Sequence, residues 1–180
     1  MSQQPNVAMP DEPGSGSGIA AVIVAQGDPE LLNRCLLSLA TSLGGFEDLD
    51  VVVVENGVPT PFDPNVEGVA VVALGERVPL DVAFLNGIQA AGADVALLVT
   101  PDIVFEPGFL NPLLATLGNP GGPDSVTPTV VRRRSDDDWV PGVSSGLSSG
   151  DGVCLLLRVT TEGTTCGHVE SSVVGSVTTA

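Results

Sequence analysis

The sequence predicts an α/β fold, a three-layer sandwich with a mostly parallel sheet between helices. Three observations predict it. Residues 49–56, "LDVVVVEN", are almost unbroken valine, the pattern of a strand covered on both faces. Residues 31–43 place Leu31, Leu32, Cys35, Leu36, Leu39 and Leu43 at helical spacing, so one face is apolar. Strand-like and helix-like stretches also alternate along the chain, which is how parallel sheets are assembled.

Taken in order, "GIAAVIVAQ" (18–26) reads as a buried strand. Asp28-Pro29-Glu30 then supplies a capping acid, a proline at the first helical position and a second acid near the positive helix end. The valine run follows as the second strand, and "VAVVAL" (69–74) repeats its doubly covered pattern. "VPLDVAFLNGIQAAG" (78–92) has proline near its start and Gly92 past its end, a helix signature. "DVALLVT" (94–100) is a further buried strand, and a short helix is expected over 108–117, with Pro112 unsettling its first turns. "SVTPTVV" (125–131) and "GVCLLLR" (152–158) read as strands, and the polar, Gly/Ser-rich stretch between them reads as a loop. The last twenty residues carry little periodicity.

Composition bounds the function. The 180 residues suit one domain, expected over 18–160, with a disordered leader over 1–17 and an unassigned segment over 161–180. Only 3% of residues are aromatic and none is Tyr, so the core falls to Val, Leu, Ile and Ala. A net charge of −16, with six Arg and no Lys, repels phosphate backbones and anionic lipid surfaces, so nucleic acid is excluded as a partner. An anionic ligand would then need a divalent cation as mediator. Cys35, Cys154 and Cys166 lack metal-ligand spacing and read as reduced thiols of a cytoplasmic protein. No apolar run reaches the roughly 18 residues of a membrane span. The first residues lack the basic and apolar regions of a signal peptide.

The chemistry-bearing feature is "VALLVTPDIVFEPGF" (95–109), where a buried run breaks at Thr100-Pro101-Asp102. In open α/β sheets ligands bind outside the carboxyl ends of strands, and Asp102 stands at such an end. From the residues alone it is either a solvated loop acid or a ligand for a cation. Arg132-Arg133-Arg134 runs straight into Asp136-Asp137-Asp138 and reads as a self-neutralising loop rather than a phosphate grip. Trp139 reads as packing. No Gly-x-Gly-x-x-Gly follows the first strand, which weakens a dinucleotide-binding oxidoreductase.

Four segments, "AAVIVAQGDPELLNRCLLSL", "LDVVVVENG", "NGIQAAGADVALLVTPDIVFEPGFLNPLL" and "SSGDGVCLLLR", together resemble, in order and spacing, the family 2 glycosyltransferases, whose GT-A fold is a Rossmann-like sandwich. The resemblance covers about residues 18–158. It implies transfer of a sugar from a nucleotide-diphosphate donor to an acceptor hydroxyl on a glycan, a lipid-linked or a small molecule. It gives Glu55 the nucleotide base, with Asn56 and Gly57 forming the turn. It also gives Asp102 a Mg2+ or Mn2+ ion on the donor diphosphate, Thr100-Pro101-Asp102 standing where the family has Asp-x-Asp or Asn-Pro-Asp.

The sequence departs from that pattern at three places. Ala25-Gln26-Gly27 stands where the family favours Thr-Tyr-Asn in the base pocket, so Ala25 lines it with less polar surface. Arg77 stands in register with a family Asn and is a candidate phosphate contact. After "CLLLR" the acceptor-side acid that serves as general base has no counterpart; Glu170 falls in plausible register, and His168, the sole histidine, is the other candidate. This loss leaves a second function class open, a GT-A-like module that binds a nucleotide or a protein without turnover.

Overall fold

The computed structural model describes residues 18–44, 49–58, 62, 68–135, 138–141, 153–159 and 176–179. The leader expected over 1–17, the acid pair Asp136 and Asp137, and the residues Cys166, His168 and Glu170 lie outside them.

The chain opens with β1 (Ile19–Ala25), α1 (Pro29–Leu43), β2 (Asp50–Glu55), β3 (Val69–Ala73), α2 (Leu80–Ala91) and β4 (Val95–Val99). There follow β5 (Ile103–Phe105), α3 (Leu110–Gly118), β6 (Ser125–Val126), β7 (Thr129–Ser135), β8 (Asp138–Pro141), β9 (Cys154–Arg158) and β10 (Ser176–Thr179). The main sheet has the order β3-β2-β1-β4-β9-β6. Its β3-β2-β1-β4 portion is parallel, and β9 runs antiparallel to both β4 and β6.

Alternation along the strands divides the core in two. Ala21, Ile23, Val51, Val53, Leu97 and Val99 point to one face, where Cys35, Leu36 and Leu39 of α1 and Leu113 and Leu117 of α3 bury them. Val22, Val24, Val52, Val54 and Leu98 point to the other, against Ala83, Phe84 and Ile88 of α2. Each fully buried aliphatic side chain contributes about 1.5–3 kcal/mol, so both faces of β1 and β2 hold the layers together. Cys35 and Cys154 are buried free thiols.

The helix signals act as their chemistry requires. The Asp28 carboxylate accepts from the amides of Glu30 and Leu31, and Gly44, in the left-handed region at φ 75°, closes α1. Pro112 is the third residue of α3, where the amide has no intrahelical partner to lose, so the helix starts at Leu110 despite it.

Three expectations are corrected. The 69–74 stretch is not covered on both faces: Ala70, Val71 and Ala73 are exposed, and among the described residues β3 pairs with β2 alone. The 125–131 stretch is two strands in different sheets, with Pro128, which lacks a ladder donor, between them. The polar stretch read as a loop contributes β7 and β8, which pair antiparallel with an irregularity between Arg133 and Ser135. Within the segment left unassigned, β10 lies between β5 and β7 in a second sheet of order β5-β10-β7-β8.

Candidate functional site

The first strand has β2 on one side and β4 on the other, so the strand order reverses at β1, and in open parallel sheets ligands bind outside the carboxyl end of such a switch point. The register sets what borders that crevice. Ala25 is level with Glu55, and Glu55 with Ala73. Val99 is level with Cys154, the first residue of the antiparallel β9. Thus Ala25, Glu55, Thr100, Asp102 and Val153 share one rim although they lie far apart in sequence.

Glu55 is buried, at 5% exposure, and its carboxylate accepts the amide of Phe62. Asn56 is buried at 1%, and its side chain is committed to backbone: Nδ2 donates to the Val78 carbonyl at 2.9 Å, and Oδ1 accepts the Val78 amide at 2.7 Å. Gly57 turns the chain at φ 69°, and a Cβ there would stand 2.7 Å from the backbone nitrogen of Arg77. Asn56 and Gly57 therefore do more than form the turn. They clamp the segment that carries Arg77 against the rim. Arg77 in turn donates from Nη2 to Gln26 Oε1 at 2.8 Å, which brings the candidate phosphate contact to the end of β1.

Asp102 is half-buried just beyond β4. Thr100 Oγ1 donates to Asp102 Oδ1 at 2.5 Å and accepts the amide of Val153 at 2.7 Å. Burial first, and then the charge of Asp102, pushes the Cys35 thiol up, with Arg34 opposing. Burial likewise raises the Cys154 thiol, with a smaller contribution from Cys35.

The described residues contain no group of three or more His, Cys, Asp or Glu side chains that would hold a metal by themselves. A hard divalent cation at Asp102 would therefore draw most of its roughly six oxygen ligands from a bound diphosphate and water, and a half-buried rim carboxylate suits that sharing. The start of α1 offers a phosphate much less. The Asp28 carboxylate already takes the amides of Glu30 and Leu31, and the Leu32 amide bonds the Asp28 carbonyl. That occupancy disfavours the dinucleotide-binding reading on structural grounds.

Of the residues singled out from sequence, Ala25, Glu55, Asn56, Arg77 and Asp102 all lie along this rim. Asn56 is turned to the backbone of Val78, and the two base candidates, Glu170 and His168, lie outside the described residues. Sequence reasoning did not single out the hydroxyl of Thr100 or the pairing of Gln26. Their partners are 53 and 51 residues away, and no local pattern marks them.

The glycosyl transferase family 2 model matches residues 20–146. Among solved structures, the crystal structure of S. aureus TarS 1-349 superposes with a TM-score of 0.52 at 14% identity, over 67% of this chain. The chain spans 37% of the length of that structure, and the likeness concerns the fold. No curated protein matches. No helix among the described residues is long and apolar enough to cross a membrane. With the family model matched over well more than half of its 180 residues and a GT-A-like α/β sheet built as that match requires, the chain belongs to glycosyl transferase family 2.

Proposed function

We propose that the protein binds a nucleotide-diphosphate sugar across the carboxyl rim of its parallel sheet and transfers the sugar to an acceptor hydroxyl, assisted by Mg2+ or Mn2+. The observation that carries this reading is the convergence of Glu55, Arg77 and Asp102 on one rim at the point where the strand order reverses. Family membership supports glycosyl transfer in general; the donor, the metal and the roles below are our reading.

In it, the Glu55 carboxylate accepts an N–H of the base, the Arg77 guanidinium donates to a phosphate oxygen, and Asp102 contributes one ligand to the cation. The cation, when bound, neutralises charge growing on the departing diphosphate. Arg77 does part of the same work without a metal, and Gln26 holds its guanidinium in place. The acceptor is the hydroxyl of a glycan, a lipid-linked or a small molecule, and Glu170 or His168 is the group to test as its base. A cytoplasmic location suits both the free thiols and this donor.

Calorimetry with uridine, guanosine and thymidine diphosphates, with and without Mn2+, tests the reading. Metal-dependent binding by one of them, lost in Asp102→Ala, is expected, together with turnover of the matching nucleotide sugar. Binding without hydrolysis or transfer for any acceptor would make the chain a nucleotide-binding module, and binding by none would overturn the donor site.

A further inference from the structure

The Thr100 hydroxyl carries a single hydrogen, and its surroundings decide where that hydrogen points. An amide can only donate, so at 2.7 Å from the Val153 nitrogen Oγ1 must be the acceptor. Its own hydrogen is then left for Asp102 Oδ1, 2.5 Å away. The relay runs one way, from Val153 N–H to Thr100 O–H to Asp102, and each bond polarises the next.

The backbone of Thr100 is held as well. Its amide donates to the Val153 carbonyl at 2.9 Å, and its carbonyl accepts the Ile103 amide at 3.2 Å. A residue tied at both backbone groups and at its side chain gives Asp102 a fixed neighbour. A second carboxylate at position 100 would repel Asp102, and an aliphatic side chain would leave it to rotate. The hydroxyl instead binds one carboxylate oxygen and leaves the other as the oxygen offered to a ligand.

We infer that Thr100 is a positioning residue, which sets Asp102 as a single-oxygen ligand for the cation carried by a nucleoside diphosphate. The inference rests on the donor-site reading above. It adds a residue whose effect is confined to the metal-dependent part of binding.

The test is calorimetric and needs no turnover. Wild type, Thr100→Val, Thr100→Ala, Thr100→Ser and Asp102→Asn are titrated with the three nucleoside diphosphates, with Mn2+ and without it, and each variant's melt is recorded. Thr100→Val keeps the shape and the backbone bond to the Val153 carbonyl while removing the hydroxyl, and with it the acceptor of the Val153 amide. The expected result is that Thr100→Val and Thr100→Ala weaken binding roughly tenfold in Mn2+, the effect of losing one hydrogen bond to a charged group, and change metal-free binding little. Thr100→Ser should recover the wild-type value to within about twofold, since it restores the donor. If both hydroxyl-free variants bind as tightly as wild type in Mn2+ while Asp102→Asn does not, the positioning role is wrong and the donor site stands. An equal loss with and without metal, or loss of the cooperative melt in both variants, makes Thr100 a structural residue and also overturns the role. If Asp102→Asn binds like wild type in Mn2+, or wild type binds no nucleotide, the donor-site reading and this inference fall together.

Discussion

Asn56 grips Val78 at both of its backbone groups, giving a hydrogen to the carbonyl at 2.9 Å and taking one from the amide at 2.7 Å. The grip closes a bond across 22 residues and sets where Arg77 emerges. Asn56→Ala should lower stability by about 1–3 kcal/mol, the usual cost of leaving buried partners unsatisfied, measured by urea denaturation. Asn56→Asp should not rescue it, because the second carboxylate oxygen would face the Val78 carbonyl.

Two glycines next to the same elements should respond differently to an added methyl group. Gly57→Ala forces a left-handed residue and a Cβ 2.7 Å from the Arg77 nitrogen; Gly87→Ala drives a Cβ into Val22 and to 2.8 Å from Val54 Cγ2. Each should cost about 1–3 kcal/mol in the same denaturation assay. Only Gly57→Ala should also weaken nucleotide binding in calorimetry, because Gly87 packs on the middle of the sheet rather than its rim.

Arg77→Ala should reduce nucleoside diphosphate affinity with little change in melting temperature, since Arg77 is exposed and its guanidinium bonds the side chain of Gln26. Arg77→Lys keeps the charge but loses the fork, so it should recover only part of the affinity, and the residual binding should fall as salt is raised. Titrations at two ionic strengths check this.

The buried thiols give a pH prediction. Cys35 and Cys154 are both pushed up from the ordinary thiol value, so the folded state keeps protons that the unfolded chain releases. Their contribution to stability should be complete below the unfolded thiol pKa of about 8.5 and decline as pH rises above it. Native protein at pH 8 should leave both residues unalkylated by iodoacetamide, and urea should expose both, as peptide mapping would report.

Much of this architecture was legible because its signals are local. The Asp28-Pro29 start of α1 and the apolar runs of β1 and β2 follow from capping and burial within a few residues. The exposed β3 was misread because its valines look like those of β2, and only a sheet's edge distinguishes them. The strands β5, β8 and β10 and the second half of β7 escaped notice because strand pairing is decided by a distant partner; β5 and β10 have three and four residues and pair with each other. The site divides the same way. Asp102 was visible as an acid ending a buried run, whereas the Thr100 hydroxyl gains meaning only when Val153 arrives beside it.

The distance along the chain between Thr100 and Val153 makes the rim depend on the order of synthesis. A nascent chain that has emerged only as far as β4 already carries the four parallel strands, yet it lacks the amide of Val153 that turns the Thr100 hydroxyl toward Asp102. The rim is therefore completed only after 53 further residues have left the ribosome, and a chain cut short before residue 153 would have a sheet without an oriented acid.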